Sequence, residues 1–165
     1  MACFEECGCT CYEWPGDAVF DSAIERETRI NITLRGLVET HPGWYSEGAD
    51  GIANNDVTWI GLRNVPGVYV LWQQADYCSE HNADHLRAFY VGKAGKNIEA
   101  RLKVHQGKKQ INDILSTQVS IWQGPNRLAK YIEQLLLDSF SFPLNGYETG
   151  GTLPLCHHIL PAAWN

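Results

Sequence analysis

Two short strings, Gly67-Val68-Tyr69 and Tyr90-Val91-Gly92, constrain the fold most, because each lies in a run that is typical of a β-strand. The first run spans residues 65–72 and begins with a Pro-Gly turn, and the second spans residues 88–92. The stretch between them, residues 73–87, is polar and predicts a loop. The pattern therefore indicates a hairpin with an extended connection.

The orientation of two tyrosines follows from this hairpin. Side chains alternate along a strand, so Tyr69 is expected on the face opposite Val68 and Val70. By the same rule Tyr90 faces away from Phe89. If the register allows, the two phenols lie on one face at neighbouring positions across the strands.

A short helix is predicted over residues 98–105, with Asn97 as its N-cap. Arg101 and His105 are four residues apart and therefore project from one face of this helix. Both side chains are then placed to reach a phosphate.

A third strand over residues 118–123 and a longer helix after Gly124-Pro125 complete the predicted elements. The helix carries an apolar stripe made of Leu128, Tyr131, Ile132, Leu135 and Leu136. Glu133 falls at the margin of that stripe, where a carboxylate can face a cleft.

These elements, followed by Phe142-Pro143-Leu144-Asn145, resemble the GIY-YIG nuclease superfamily over residues 65–146. The resemblance implies an α/β (α+β) module with a small three-stranded antiparallel sheet flanked by helices. It also implies a metal-dependent endonuclease that hydrolyses phosphodiester bonds in nucleic acid, with DNA favoured over RNA.

The resemblance also implies a role for each site residue. Glu133 looks like the ligand of one Mg²⁺ or Mn²⁺ ion, and Arg101 like the group that steadies the attacked phosphate. Tyr69 is expected to take the proton from the attacking water and Tyr90 to position that water, although the two roles are exchangeable. Three further matches are Lys93 and His105 at the catalytic centre and Asn145 at the substrate.

The chemistry of a phenol sets a condition on this assignment. The ordinary pKa of tyrosine is about 10, so a tyrosine acting as a base at neutral pH needs nearby positive charge. Lys93, Arg101 and the metal ion are the expected sources of that charge.

The distribution of charge supports a nucleic-acid substrate. The whole chain has 13 basic and 19 acidic residues, a net charge of −6, which by itself argues against nucleic acid. Residues 86–130, however, contain nine basic and two acidic residues, a net charge of +7. Within this stretch we expect Lys96, Lys108 and Lys109 to contact the phosphate backbone.

The chain of 165 residues is predicted to have three parts. Residues 1–60 form an acidic, mostly helical extension with a net charge of −8, residues 61–148 form the nuclease-like module, and residues 149–165 form a tail that packs on it. Residues 17–38 have apolar spacing for one or two helices, and residues 48–55 are a Gly/Asn/Asp loop.

Four cysteines near the N-terminus, Cys3, Cys7, Cys9 and Cys11, leave two alternatives open. Their spacing fits poorly with zinc sites, which usually pair ligands two to four residues apart, and this favours a reduced terminus. Metal binding or redox chemistry is the other alternative.

No signal peptide or membrane-spanning stretch is apparent, so a cytoplasmic protein without membrane association is expected. A homodimer and an inhibitory or immunity partner are further possibilities. Two alternatives to an active endonuclease stay open: a catalytically inactive nucleic-acid-binding or protein-interaction module on the same scaffold, and a metal sensor built around the N-terminal cysteines.

Overall fold

The computed structural model describes residues 17–39, 63–78, 83–107, 117–152 and 154–159. In chain order the elements are helices α1 (Asp17–Thr28) and α2 (Leu34–Glu39), strands β1 (Gly67–Cys78) and β2 (Ala83–Ala94), helix α3 (Ile98–Gly107), strand β3 (Thr117–Gln123), helix α4 (Asn126–Ser139), the 3₁₀ segment η1 (Pro143–Glu148) and strand β4 (Cys156–Ile159).

The predicted three-stranded antiparallel sheet with flanking helices is confirmed, and a fourth strand extends it. The strand order is β3-β1-β2-β4, and every pair is antiparallel. The short strand β4 comes from the C-terminal tail and pairs with Asp84–Arg87 on the outer edge of β2. The tail thus contributes a strand of its own to the sheet.

The prediction of a loop over residues 73–87 is wrong. Pairing between β1 and β2 continues from Gln73↔Arg87 to Cys78↔Ala83, so most of the polar stretch is strand. Backbone N–H and C=O groups form the ladder whatever the side chains are, so a polar composition does not prevent pairing. The long spacing between the two tyrosines is therefore mostly hairpin.

The two faces of the sheet carry separate cores, as the alternation along β1 predicts. Val68, Val70 and Trp72 pack on one face against α1, α2 and α4. Tyr69 and Leu71 pack on the other face with Ile98 and Leu102 of α3. Tyr69 and Tyr90 thus lie on the face that α3 alone covers among the described helices. Lys93, which pairs with Val68, lies on the face that packs against α4.

The register between β1 and β2 contains a β-bulge next to the second tyrosine. Leu71 pairs with Tyr90 and Trp72 pairs with Ala88, so Phe89 has no partner on β1. The expectation that Tyr90 faces away from Phe89 is therefore wrong, because both side chains pack against the cluster around Tyr69.

The glycine of the first string allows β1 and β3 to approach closely. A Cβ atom at Gly67 would collide with the backbone carbonyl oxygen of Trp122. Gly67 pairs with Gln123 on β3, so a larger residue would separate the two strands at this point.

Several predictions fall wholly or partly outside the described residues. These are the cysteines at 3, 7, 9 and 11, the loop at 48–55, Lys108, Lys109 and most of the acidic extension. Within that extension α1 and α2 lie in the stretch with apolar spacing, and Asp21 accepts a hydrogen bond from the Leu34 backbone N–H at 2.6 Å. No helix among the described residues has the length and apolar character needed to cross a membrane.

Candidate active site

The two phenols meet across β1 and β2, as the hairpin predicts. Tyr69 pairs with Gly92 and Leu71 pairs with Tyr90, which makes the tyrosines diagonal neighbours. Their ring centroids are 6.0 Å apart, with an angle of 29° between the ring planes. Tyr69 is completely buried, whereas Tyr90 is partly exposed and lines a cavity.

Gly92 makes room for both rings. A Cβ atom at this position would lie 2.6 Å from the hydroxyl of Tyr69 and 2.8 Å from a ring carbon of Tyr90. The glycine of the second string is therefore explained by close packing of the phenols over the backbone of β2.

We expect Gly92→Ala to displace the Tyr69 hydroxyl and to lower the free energy of unfolding by about 1–3 kcal/mol, the usual cost of overpacking. Because the displaced phenol belongs to the candidate site, activity should fall by more than the loss of folded protein explains. Urea unfolding and a cleavage assay measure the two effects. Gly150→Ala is the matched control, since a Cβ there meets its nearest atom at an ordinary 3.4 Å.

Helix α3 brings a histidine behind the tyrosines. The helix starts as predicted, with the Asn97 side chain accepting a hydrogen bond from the Ala100 N–H at 3.1 Å. His105 is only 5 % exposed, and its Nε2 lies 2.7 Å from the Tyr69 hydroxyl. The prediction that His105 reaches a phosphate is therefore wrong, because its ring is buried against the phenols.

Arg101 is on the same helix but reaches the cavity. Its side chain is exposed and lines the cavity beside Tyr90. Its positive charge lowers the pKa of both phenols. Arg101 is thus the residue of α3 that is placed to contact a phosphate.

The cavity collects most of the predicted site residues. Its volume is about 630 Å³, and its walls come from β2, the loop after β2, α3, α4 and η1. The lining residues are Tyr90, Val91, Lys93, Ala94, Gly95, Lys96, Asn97, Ala100, Arg101, Glu133, Asn145 and Glu148. The predicted Lys93 and Lys96 are therefore placed with Arg101 and Glu133.

Glu133 lies at the margin of the apolar stripe of α4, as predicted, and its side chain is half-buried. Burial raises the pKa of its carboxyl group, while the charge and backbone N–H of Lys93 oppose this rise and the nearby Glu148 adds to it. The side chain of Lys93 is fixed in turn, because its Nζ donates a hydrogen bond to Asn126 Oδ1 at 3.0 Å.

Burial also raises the pKa of Tyr69 well above its usual value, and the neighbouring Tyr90 adds to this effect. For Tyr90 burial again raises the pKa, while Arg101 and a hydrogen bond with Tyr69 lower it. In Tyr69 the positive charge of Arg101 does not offset burial, so the phenol that was expected to act as a base is difficult to ionise.

The Asn145 side chain is held by the backbone of β2. Its Oδ1 accepts a hydrogen bond from the Val91 N–H, and its Nδ2 donates one to the Val91 carbonyl, both at 3.0 Å. The structure therefore gives Asn145 a positioning role, and its predicted contact with a substrate stays a prediction, since it also lines the cavity. Its two hydrogen bonds connect η1 to β2 at Val91, beyond the residues of β2 that pair with β4.

We expect Asn145→Ala to lower the free energy of unfolding by about 1–3 kcal/mol, because two hydrogen bonds to a partly buried backbone are lost. The exchange of the Val91 amide hydrogen should accelerate in step with that loss. Leu144→Ala, at a neighbouring position that is 44 % exposed, is the control. An unchanged exchange rate in Asn145→Ala would contradict the positioning role.

Two residues of the site were not predicted from the sequence: Glu148, which lines the cavity, and Asn126, which holds the Lys93 side chain. Glu148 lies three residues after Asn145 and lines the same cavity. Its negative charge raises the pKa of both Tyr90 and Glu133. In the sequence Glu148 is a single glutamate after the last residue of the motif, and a lone glutamate is too common to be recognised as a site residue.

The donor set fits a hard divalent cation. Glu133 and Glu148 supply carboxylate oxygens to one cavity. Burial raises the pKa of Glu133 and the charge of Glu148 adds to this rise, and a bound cation would oppose both effects. Within the described ranges there is no cluster of three or more His, Cys, Asp or Glu side chains suited to a metal. Glu133 and Glu148 are therefore the two carboxylates of the cavity that would hold such an ion.

Comparison with known proteins adds no relative to this description: no family model, no curated protein and no solved structure matches the chain.

Proposed function

We propose that the protein is a metal-dependent endonuclease of the GIY-YIG type that hydrolyses phosphodiester bonds, with DNA as its substrate. The observation that carries the proposal is the single cavity lined by Tyr90, Arg101 and Glu133. These residues come from β2, α3 and α4, and each was expected from a different part of the sequence. A shared cavity is what the proposed chemistry needs, because phenol, guanidinium and carboxylate act on one phosphate.

The cations of the cavity support the binding of a phosphate. Arg101 offers a planar fork of charged donors to the non-bridging oxygens. Lys93 adds a second positive charge and is anchored by Asn126. Lys96, exposed on the same wall, is placed for an adjacent phosphate of the strand.

Tyr90 is the phenol that contacts the attacking water in this proposal. It lines the cavity, whereas Tyr69 is completely buried behind it. The roles first assigned to the two tyrosines are thus exchanged. Tyr90 accepts the proton of the water as that water attacks phosphorus, and the leaving oxygen departs from the opposite side.

Tyr69 and His105 carry the proton away from Tyr90. Tyr90 passes its own hydroxyl proton to Tyr69, and Tyr69 passes its proton to Nε2 of His105, which lies 2.7 Å away. Each phenol gains one proton and loses one, so neither tyrosine has to remain ionised. Imidazole suits the end of this relay because it accepts protons near neutral pH.

Glu133, with Glu148 beside it, would hold the divalent cation. When bound, such an ion supplies positive charge for the phosphate and the leaving oxygen. The Lys93 backbone N–H and side chain, both next to Glu133, favour the ionised carboxylate and oppose the rise in its pKa that burial causes.

A plasmid assay tests the proposal. Supercoiled DNA incubated with the purified protein and Mg²⁺ should become nicked or linear, and an excess of EDTA should prevent this. DNA that is retarded on a gel but left uncut would favour an inactive binding module on the same scaffold. If the DNA is neither cut nor retarded, the nuclease proposal is lost.

A further inference from the structure

Tyr147 on η1 is the most exposed large hydrophobic side chain among the described residues. It is 99 % exposed, and its neighbour Leu144 is 44 % exposed. Only one other large apolar or aromatic side chain in the described ranges, Val104, is classed as exposed. The ring buries no apolar surface within the described part of the fold, so its face is accessible to a bound molecule.

The ring is located at the rim of the cavity. Tyr147 lies between Asn145 and Glu148, both of which line the cavity. Successive Cα atoms are about 3.8 Å apart, so the backbone of Tyr147 is within a few ångströms of the cavity wall. A strand whose phosphate is bound in the cavity would therefore pass close to the segment that carries this ring.

The segment that carries Tyr147 is fixed at several points. Asn145 is bonded to the backbone of Val91, and the Thr149 side chain bonds to the backbone N–H and carbonyl of Phe142 at 3.3 and 3.4 Å. Between these points Gly146 has φ +58°, a conformation that side chains disfavour. The turn therefore presents Tyr147 on a pre-organised support.

We propose that Tyr147 stacks on a nucleobase of the strand whose phosphate occupies the cavity. This inference rests on the proposed nuclease function and narrows its substrate class. Cations in the cavity would hold the phosphate, and the aromatic ring at the rim offers a flat face to an adjacent base. Bases inside a duplex are already stacked on one another, so the partner is a single-stranded or locally unpaired segment.

Binding to matched oligonucleotides tests the inference. A Glu133→Gln parent prevents cleavage, and fluorescence anisotropy then measures its affinity for a single-stranded DNA and for an abasic strand with the same number of phosphates. Adding Tyr147→Ala should weaken binding to the normal strand by about 5- to 150-fold, the range measured for loss of one stacked base. Binding to the abasic strand should change less than twofold.

Two control variants define the effect. Tyr147→Phe keeps the ring and should bind like the parent, and Val104→Ala removes an exposed apolar side chain from α3 with no change expected. Equal affinity of Tyr147→Ala and the parent for the normal strand would overturn stacking. Stacking would also be overturned if Tyr147→Ala weakened binding to the normal and the abasic strand equally. That result would indicate a structural role for the ring or a protein partner for it.

The inference and the proposed function fail in different assays. If the wild-type protein cuts DNA with Mg²⁺ while Tyr147→Ala binds like its parent, stacking alone is wrong. If the wild-type protein cuts nothing, the nuclease proposal falls whatever the anisotropy shows. A parent that binds neither strand overturns the inference as well.

Discussion

Replacing Glu133 with glutamine is expected to reduce Mg²⁺-dependent cleavage by about 10³-fold or more while leaving the fold intact. Glutamine keeps the size of the side chain but removes the charge that would hold the cation, and electrostatic stabilisation of one developing charge is already worth about 10²- to 10³-fold. Glu133 is only half-buried and pays a desolvation penalty as a carboxylate, so its neutral replacement should not destabilise the protein.

The matched control is Asp138→Asn, which removes an exposed carboxylate from the same helix, away from the cavity. Its cleavage rate should stay within twofold of wild type. Rates are compared under single-turnover conditions, and thermal unfolding verifies that both variants are folded. A Glu133→Gln preparation that cuts as fast as wild type would exclude Glu133 as the metal ligand, or would reveal a contaminating nuclease.

The second large loss of cleavage is expected when either tyrosine is replaced by phenylalanine. The cleavage rates of the two variants should depend differently on pH. Tyr90→Phe removes the group that contacts the water, so cleavage should fall by about 10²- to 10⁴-fold at every pH. Tyr69→Phe keeps the Tyr90 hydroxyl but interrupts the relay to His105. Tyr90 must then ionise by itself, so the rate of Tyr69→Phe should be low at neutral pH and should rise steadily towards alkaline pH.

Wild-type protein is expected to show a different profile, because its relay needs only a neutral imidazole and not an ionised phenol. Its rate should therefore rise less steeply towards alkaline pH than the rate of Tyr69→Phe. Tyr69→Phe should also lower the free energy of unfolding by about 1–3 kcal/mol, since a buried hydrogen bond is lost. Parallel pH profiles of wild type and Tyr69→Phe would contradict the relay.

The sequence predicts those parts of the fold that follow from local patterns. Alternation along β1 places Tyr69 opposite Val68 and Val70, and the apolar stripe of α4 places Glu133 at its margin; both agree with the structure. The cap at Asn97 was also predictable, because a side-chain oxygen bonded to a free backbone N–H is a local interaction.

Features that depend on pairing between distant segments could not be predicted. The polar half of the hairpin and the four-residue β4 owe their structure to backbone hydrogen bonds with β2, which leave no periodic signal in their side chains. The bulge at Phe89 depends on the same pairing, since a slip of one residue changes the face that each side chain occupies.

In the candidate site, the sequence predicts which residues belong to it but not what each of them contacts. His105 and Asn145 were identified as site residues, but their partners were not, because a histidine or asparagine can serve a substrate or its own protein equally well. Burial against Tyr69 decides the role of His105, and the free edge of β2 at Val91 decides the role of Asn145. Both facts are tertiary and have no trace in the local sequence.

The most direct test of the central claim is cleavage of DNA in ¹⁸O-labelled water with Mg²⁺. If water attacks phosphorus in the cavity, each new terminal phosphate should contain one ¹⁸O atom in a single-turnover reaction of the wild-type protein, and Glu133→Gln should yield no labelled product over the same time. Cleavage that leaves the phosphate unlabelled, or equal labelling by Glu133→Gln, would contradict the claim.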